Sequence, residues 1–404
     1  MQAQATRDAD PARDCFGILT RFGFATRTFL IKIFLVQKDT RSARAGGGMS
    51  RLVQRNPNFA REVLEMKKSL FAALAFGLVA GVASSATAQT DITWGTSAVG
   101  SSGHRALVNL ATILNRELKD YQVTVQPMPG AIISVKSYAT GQTLGYYGAD
   151  IAFYELANDT ARFKGFKAQM KRQPVQSFWT YTVEVGVAIH ERDKDKIKSW
   201  SDLTGKQVFT GPLPWDTRAQ LERGLAALGV KHNYVEVDLS SAGSLMDSGR
   251  LDGFIIYTNA ESTTAPWITE AGLSTKWIAL NPTPEEIAKL KEKNFSVVEV
   301  KSEAFKHDTG TETVVLLPFF YGFHVGMEIP EEDVYKMLKV IEANVDELVK
   351  LDAGFAQLKD MANMQVRGVT ASIEYVPVHP GLAKWMKEKG VWNSAWDDRI
   401  AKKN

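Results

Sequence analysis

From residue 91 onward the chain alternates between two hydrophobic periods. Asp91-Ile92-Thr93-Trp94-Gly95-Thr96 has the two-residue alternation of a strand. After the polar stretch 97–103, Leu107, Leu110, Ile113, Leu114 and Leu118 fall on one helical face. Tyr121 to Val125 predicts a second strand, with Val123 and Val125 alternating. Ile132 to Gly141 predicts a second helix and Ala149 to Tyr154 a third strand. Strand, helix, strand, helix, strand at this spacing predicts a parallel sheet with right-handed crossovers.

The same order then repeats. Gln207 to Thr210 predicts a strand, followed by a Gly/Pro loop and a helix from Asp216 to Leu228 that ends at Gly229. Tyr234 to Val237, a short helix around Ala242 to Ser248, and a strand from Asp252 to Tyr257 complete the second set. Two similar α/β lobes are therefore expected, the first from 89–182 plus 323–404 and the second from 183–322. Phe178 to His190 is long, alternating and β-rich, the pattern of a connecting strand pair that can act as a hinge. A second crossing is expected at Thr313 to Val325, before C-terminal helices over Glu331 to Leu358 and Pro380 to Lys389.

Upstream of this pattern lies a segment of another kind. Met66-Lys67-Lys68 is positive, Ser69 through Val82 is almost wholly apolar, and Ala86-Thr87-Ala88 places small residues where a signal peptidase reads. The apolar stretch is short for a membrane-spanning helix. It predicts a secretory signal peptide over 66–88, cleaved before Gln89, rather than a buried helix or a retained anchor. The single cysteine, Cys15, is far from that site, which excludes a lipid anchor there. Residues 1–65 are arginine-rich, with a glycine run at Gly46 to Gly48 and one apolar patch, Phe29 to Val36. They read as an untranslated or disordered extension, with translation starting at Met66 in preference to Met49 or Met1. A basic cytoplasmic extension or targeting presequence is the functional alternative.

The leader changes the charge argument. The chain has 48 basic and 45 acidic residues, but residues 1–88 hold 13 basic and 6 acidic ones, leaving 35 against 39 in the remaining 316. The apparent basicity belongs to the leader, so a nucleic-acid or membrane-surface role loses its support. The remaining residues contain no cysteine and hence no disulfide or thiolate chemistry. Their length suggests two domains with a core large enough to hold without disulfides.

Open parallel sheets bind ligands outside the carboxyl ends of their strands, here loops 96–103, 127–132, 154–159, 211–218 and 257–264. Thr96, Ser97, Ser101 and Ser102 offer hydroxyls ahead of a helix whose first amides are unpaired, which favours an anion. Gly130 and Ala131 open a second helix, and Gly130 lets backbone approach a ligand closely. Trp215, Asp216, Thr217 and Arg218 begin a third. Trp215 suits a carbon skeleton, and Thr217 and Arg218 suit a carboxylate. Tyr154 and Tyr257 occupy corresponding strand ends. The plainer readings are that the serines and Asp216 are helix caps and that Arg218 is solvated.

Ile92-Thr93-Trp94-Gly95-Thr96, Ser101-Ser102-Gly103-His104-Arg105 and the run Val123 to Ala131 with its serine-bearing helix resemble the TAXI-type solute receptors of tripartite ATP-independent periplasmic (TRAP) transporters. Asp202-Leu203-Thr204-Gly205-Lys206-Gln207-Val208, the loop Gly211 to Thr217, and His379-Pro380-Gly381-Leu382-Ala383-Lys384 extend the resemblance over residues 90 to 392. It implies a two-lobed α/β periplasmic-binding-protein fold, type II-like, with a ligand cleft between lobes joined by hinge strands. It implies capture of a small solute, commonly a carboxylate, by a monomer that closes and delivers it to TRAP permease membrane subunits. The implied contacts are Thr96, Ser97, Ser101, Gly130, Ala131, Tyr154, Thr217 and Tyr257. Pro212-Leu213-Pro214-Trp215-Asp216 departs from the small, flexible residues of that family and points to a different or more apolar solute. A binding protein of an ATP-driven importer has the same fold and another partner. For an enzyme there is no HExxH, GxSxG, GxxxxGK or GxGxxG motif and no Cys/His metal spacing. No catalytic residue, metal or cofactor is therefore expected. His190, His324 and His379 read as structural.

Overall fold

The computed structural model describes residues 89–403; the signal-peptide segment 66–88, the upstream stretch and Cys15 lie outside the described residues. Among the described residues no helix is long and apolar enough to cross a membrane. The first lobe opens with β1 (Thr90–Gly95), α1 (Ser102–Glu117), β2 (Tyr121–Gln126), α2 (Ala131–Ala139), β3 (Gly145–Ala149) and α3 (Asp150–Asn158). The long β4 (Trp179–His190) leads to β5 (Gln207–Phe209), α4 (Asp216–Leu228), β6 (Asn233–Tyr234), α5 (Ala242–Asp247) and β7 (Gly253–Asn259). Then come β8 (Thr263–Thr264), α6 (Pro266–Ser274), β9 (Trp277–Leu280), α7 (Pro284–Glu292) and β10 (Val298–Lys301). The second long strand, β11 (Thr313–Val325), is followed by α8 (Glu331–Ala343), α9 (Val345–Leu351), α10 (Met361–Ser372) and α11 (Pro380–Glu388).

The strands run in the order β2-β1-β3-β11-β4-β7-β5-β6. β2, β1 and β3 are parallel, as are β7, β5 and β6, and both blocks are linked through antiparallel pairing of β3, β11, β4 and β7. Two parallel α/β blocks thus share a pair of long crossing strands. Each long strand changes partner along its length. β11 pairs with β10 over Thr313–Leu316 and with β3 over Tyr321–Val325. It pairs with β4 between them, from Leu317 opposite Val185 to Gly322 opposite Trp179, with a register shift between Tyr321 and Gly322.

The two α/β lobes are present, with three local differences from the sequence pattern. Phe178 to His190 is one strand rather than a pair, because all twelve residues of β4 are buried and no turn interrupts them. Ala149 to Tyr154 is not a strand. The strand is the preceding Gly145-Tyr146-Tyr147-Gly148-Ala149, and α3 begins at Asp150. Glycine at two of five positions hides that strand, yet the site demands it: a Cβ on Gly145 would lie 2.5 Å from the Trp94 ring. Ile151, Ala152, Phe153, Glu155 and Leu156 are buried on a helical face, which leaves Tyr154 exposed. The C-terminal helix breaks after Ala343, so Glu331 to Leu358 is α8, α9 and a 3-10 turn over Ala353–Asp360.

The core is dense in aromatic side chains. Trp94, Tyr146, Phe153, Trp179 and His324 pack together at the first lobe's centre, and Trp200, Phe254 and Trp277 are fully buried in the second. His324 and His379 serve this architecture. The His324 Nδ1 accepts from the amides of Ser177 and Phe178, and the His379 Nδ1 caps α11 by accepting from the Gly381 amide. Burial holds both imidazoles neutral, at about 3 and about 4.

Candidate functional site

Where the strands of both lobes end, the N-termini of α1 and α4 converge on a small, half-open cavity of about 30 Å³. From the first lobe Ser97, Ser101, Ser102, Gly103, Ala131 and Tyr147 line it. Trp215, Thr217, Tyr257 and Asn259 come from the second, and Val183 and Tyr321 from the crossing strands. About 10–15 Å³ accommodates one water. The space therefore takes about two, and a larger solute enters only when the walls part.

The polar lining is partly spent and partly open. Ser101 caps α1, its Oγ accepting from the His104 amide at 3.2 Å and lying 2.5 Å from Ser97 Oγ. Ser102 Oγ, Thr217 Oγ1 and Asn259 Oδ1 are buried and have no hydrogen-bond partner. Ser102 faces the Tyr257 hydroxyl without a hydrogen bond of ordinary geometry. Orphaned buried polar atoms cost free energy unless something meets them. Together with the first amides of α1 and α4, which lack intrahelical acceptors, the Ser102 and Thr217 hydroxyls form a donor-rich pocket suited to a small anion, with the Asn259 Oδ1 as an acceptor beside them.

The aromatic wall fixes the shape. Tyr147 is stacked on Tyr321 on one side, with centroids 4.2 Å apart, and on Phe323 on the other, at 4.8 Å. Its hydroxyl lies 2.8 Å from that of Tyr181. Burial pushes the Tyr147 and Tyr321 hydroxyls well above the ordinary value and Tyr257 up to about 12, so all three are neutral hydroxyls. Gly103 lies against this ring: a Cβ there would sit 2.4 Å from Tyr147 Cε1.

The lobes meet beside the cavity. Trp215 Nε1 donates to the Pro129 carbonyl at 3.0 Å, and Pro214 packs so closely on Gly130 that a Cβ there would lie 3.3 Å away. Fully buried Asp216 receives the Tyr321 hydroxyl at 2.7 Å on Oδ2, and its Oδ1 lies 2.8 Å from Arg162 Nη1. Arg162 also pairs with Glu155 at 2.8 Å. Burial opposes the Arg162 charge, but Asp216 and Glu155 outweigh it and hold the guanidinium above its ordinary pKa. The Pro212–Asp216 loop, stiff by sequence, is thus the second lobe's contact with the first.

Of the residues singled out from sequence, Ser97, Ser101, Ser102, Ala131, Trp215, Thr217 and Tyr257 line the cavity. Thr96 is buried behind it, its amide donating to the Gln126 carbonyl, and Gly130 is in the lobe contact. Two lie elsewhere. Tyr154 is on the outer face of α3, edge-on to Tyr375, because its segment is helical. Arg218 stacks over Tyr234 at 4.0 Å and pairs with Glu222 at 3.4 Å, away from the cavity. Asp216 is the first residue of α4, but its side chain caps no helix amide and spans the lobes instead. The sequence reading missed Gly103, Tyr147, Val183, Asn259 and Tyr321. The repeated Tyr-Tyr between glycines was the available signal for Tyr147.

The NMT1-like family model matches residues 94–390. No curated protein matches the chain. Among solved structures, the periplasmic aliphatic sulphonate binding protein SsuA from Escherichia coli is 13% identical, with a TM-score of 0.38 over 74% of this chain and 78% of that one. A putative L-cystine ABC transporter from Listeria monocytogenes is 13% identical, with a TM-score of 0.39 over 66% and 95%. OxyR from Corynebacterium glutamicum is 11% identical, with a TM-score of 0.37 over 74% and 78%. These likenesses are too distant to carry a ligand or a partner over.

Proposed function

The chain belongs to the NMT1-like family, and on that premise we propose that it is a periplasmic solute receptor that captures a small carboxylate-bearing solute by lobe closure and presents it to a membrane permease. One observation carries this reading. In the cavity between two helix N-termini, the Ser102 and Thr217 hydroxyls are buried without partners. A carboxylate there would meet hydroxyl and amide donors without needing a cation.

Closure follows from scale, because the cavity is smaller than an ordinary metabolite and the crossing strands β4 and β11 are the natural hinge. The proposed lobes are 89–182 with 323–404, and 183–322, moving as a monomer. The solute biases the lobes only by its differential affinity for the closed form. Export through the 66–88 signal, with cleavage before Gln89, belongs to the same proposal. The permease is assigned as TRAP-type on the resemblance of residues 90–392 to TAXI-type receptors. An ATP-driven importer is the alternative partner; a neighbouring gene for a large multi-span permease supports the first, and an ATPase gene the second.

A thermal-shift screen against amino acids, dicarboxylates and keto acids tests the reading. A ligand of the native state raises the melting temperature by mass action, by about 2.7 kcal/mol of added stability at a hundred times Kd. If no carboxylate shifts the transition, the carboxylate reading fails while the fold stands.

A further inference from the structure

Tyr154, displaced from the solute cavity, lines a second and larger one. This half-open cavity of about 710 Å³ lies where α3, α4, α10, the middle of β11 and the segment 293–298 come together. α4 and β11 wall both cavities: Thr217 and Tyr321 line the first, Arg223 and Phe320 the second. Cavities that bind small molecules are about 300–1,000 Å³. The second therefore holds a metabolite-sized molecule with its walls where they are, which the first does not.

Its lining has an excess of positive charge. Arg223, Lys293 and Arg367 reach it from α4, the segment 293–298 and α10, against one carboxylate, Asp150. Six of the ten arginines in residues 89–403 are in ion pairs. Arg223 and Arg367 are two of the other four, without an ion pair among the described residues. They meet aromatic rings instead. The Arg223 guanidinium lies 5.7 Å from the centre of the Tyr154 ring and 5.4 Å from that of Phe295, and the Arg367 guanidinium lies 5.2 Å from that of Phe320. A guanidinium stacked on a ring is held in place while its N–H edge stays free for an anion. One Arg223 donor is spent on Gln220 Oε1 at 3.3 Å. Asp150 is turned to the backbone, its Oδ1 accepting from the Ile151 and Phe320 amides at 2.7 and 3.2 Å. Burial raises its carboxyl to about 7, so near neutral pH it offsets less than one charge.

We propose that this cavity is a second binding site, distinct from the solute cavity, and that its ligand is an organic dianion with an aromatic body. Three cations against one carboxylate leave room for two negative charges. Arg223 and Arg367 each present the planar fork that takes a carboxylate through two hydrogen bonds. The rings of Phe295, Phe320 and Tyr375 in the lining take the flat face or edge of an aromatic ligand.

Titration calorimetry of the purified protein at fixed ionic strength tests this. The probes are the three benzenedicarboxylates, which differ in the spacing of their charges, with benzoate as the aromatic monoanion and adipate as the non-aromatic dianion. At least one benzenedicarboxylate is expected to bind about tenfold tighter than both benzoate and adipate. Arg223→Gln and Arg367→Gln are each expected to weaken that binding about tenfold. Arg250→Gln removes an arginine that is also outside any ion pair among the described residues but does not line the cavity, and it is expected to change nothing. The proposal is overturned if no benzenedicarboxylate binds, if benzoate or adipate binds as tightly, if both cavity variants bind like the wild type, or if Arg250→Gln weakens binding as much as they do. Each of these results leaves the receptor reading of the solute cavity standing.

Discussion

Asp216→Asn probes the lobe contact with little steric change. The substitution keeps an acceptor for the Tyr321 hydroxyl and leaves Arg162 paired with Glu155, so no charge is orphaned. What it removes is the charge on the 2.8 Å contact between Asp216 and Arg162, the buried link from the second lobe to the first. A hydrogen bond to a charged group is worth about 1.5–3 kcal/mol net. If that contact forms only on closure, the closed form loses about 2–3 kcal/mol while the open form, with Asp216 hydrated, loses little. Solute affinity should then fall about 30- to 150-fold with a small change in melting temperature. Calorimetric titration of the wild type, Asp216→Asn, Arg162→Met and the double variant closes a double-mutant cycle. The expected coupling of about 1–3 kcal/mol lies in solute affinity. A cycle whose coupling falls wholly on thermal stability, with affinity unchanged, would refute the assignment of this pair to closure.

Three further outcomes are expected. Burial raises Glu184, in β4, to about 7, although Thr182, Thr258 and the Glu261 amide donate to it. A raised folded pKa means the native state binds the extra proton, so stability falls as pH rises from about 4.5 to 7, by on the order of 3 kcal/mol from this group. Glu184→Gln should flatten denaturation midpoints across that window; an unchanged pH slope contradicts the assignment. Gly103→Ala places a methyl against Tyr147, whose ring is clamped by Tyr321 and Phe323. Calorimetry should show loss of binding, and urea melts about 1–3 kcal/mol of destabilisation. Ala260 follows Asn259 at the cavity wall with φ of +55°. Ala260→Gly should therefore stabilise the protein by about 1 kcal/mol in the same melts.

Much of this architecture was legible in the chain, for identifiable reasons. α4 and β11 have the predicted bounds: Gly229 stops the one, and the other alternates at its start and is buried throughout from Tyr321 to Val325. Ser97, Ser101, Ser102, Trp215 and Thr217 were placed near the cavity because parallel sheets gather the loops at their strand carboxyl ends. Tyr147 and Tyr321 were not, because β3 is written in glycine and tyrosine and Tyr321 lies inside a crossing strand rather than at a loop. The slip of that strand to 149–154 brought Tyr154 forward in place of Tyr147. Nothing local to Arg162 or Asp216 foretells their pairing across 54 positions; only the tertiary fold brings them together.

The central claim is that solute capture in the cavity draws two lobes together about β4 and β11. Small-angle scattering of the protein with and without a saturating solute, identified by the thermal-shift screen, tests it most directly. The account predicts a smaller radius of gyration on saturation. The same radius in both states, with binding verified in the same sample, would contradict it.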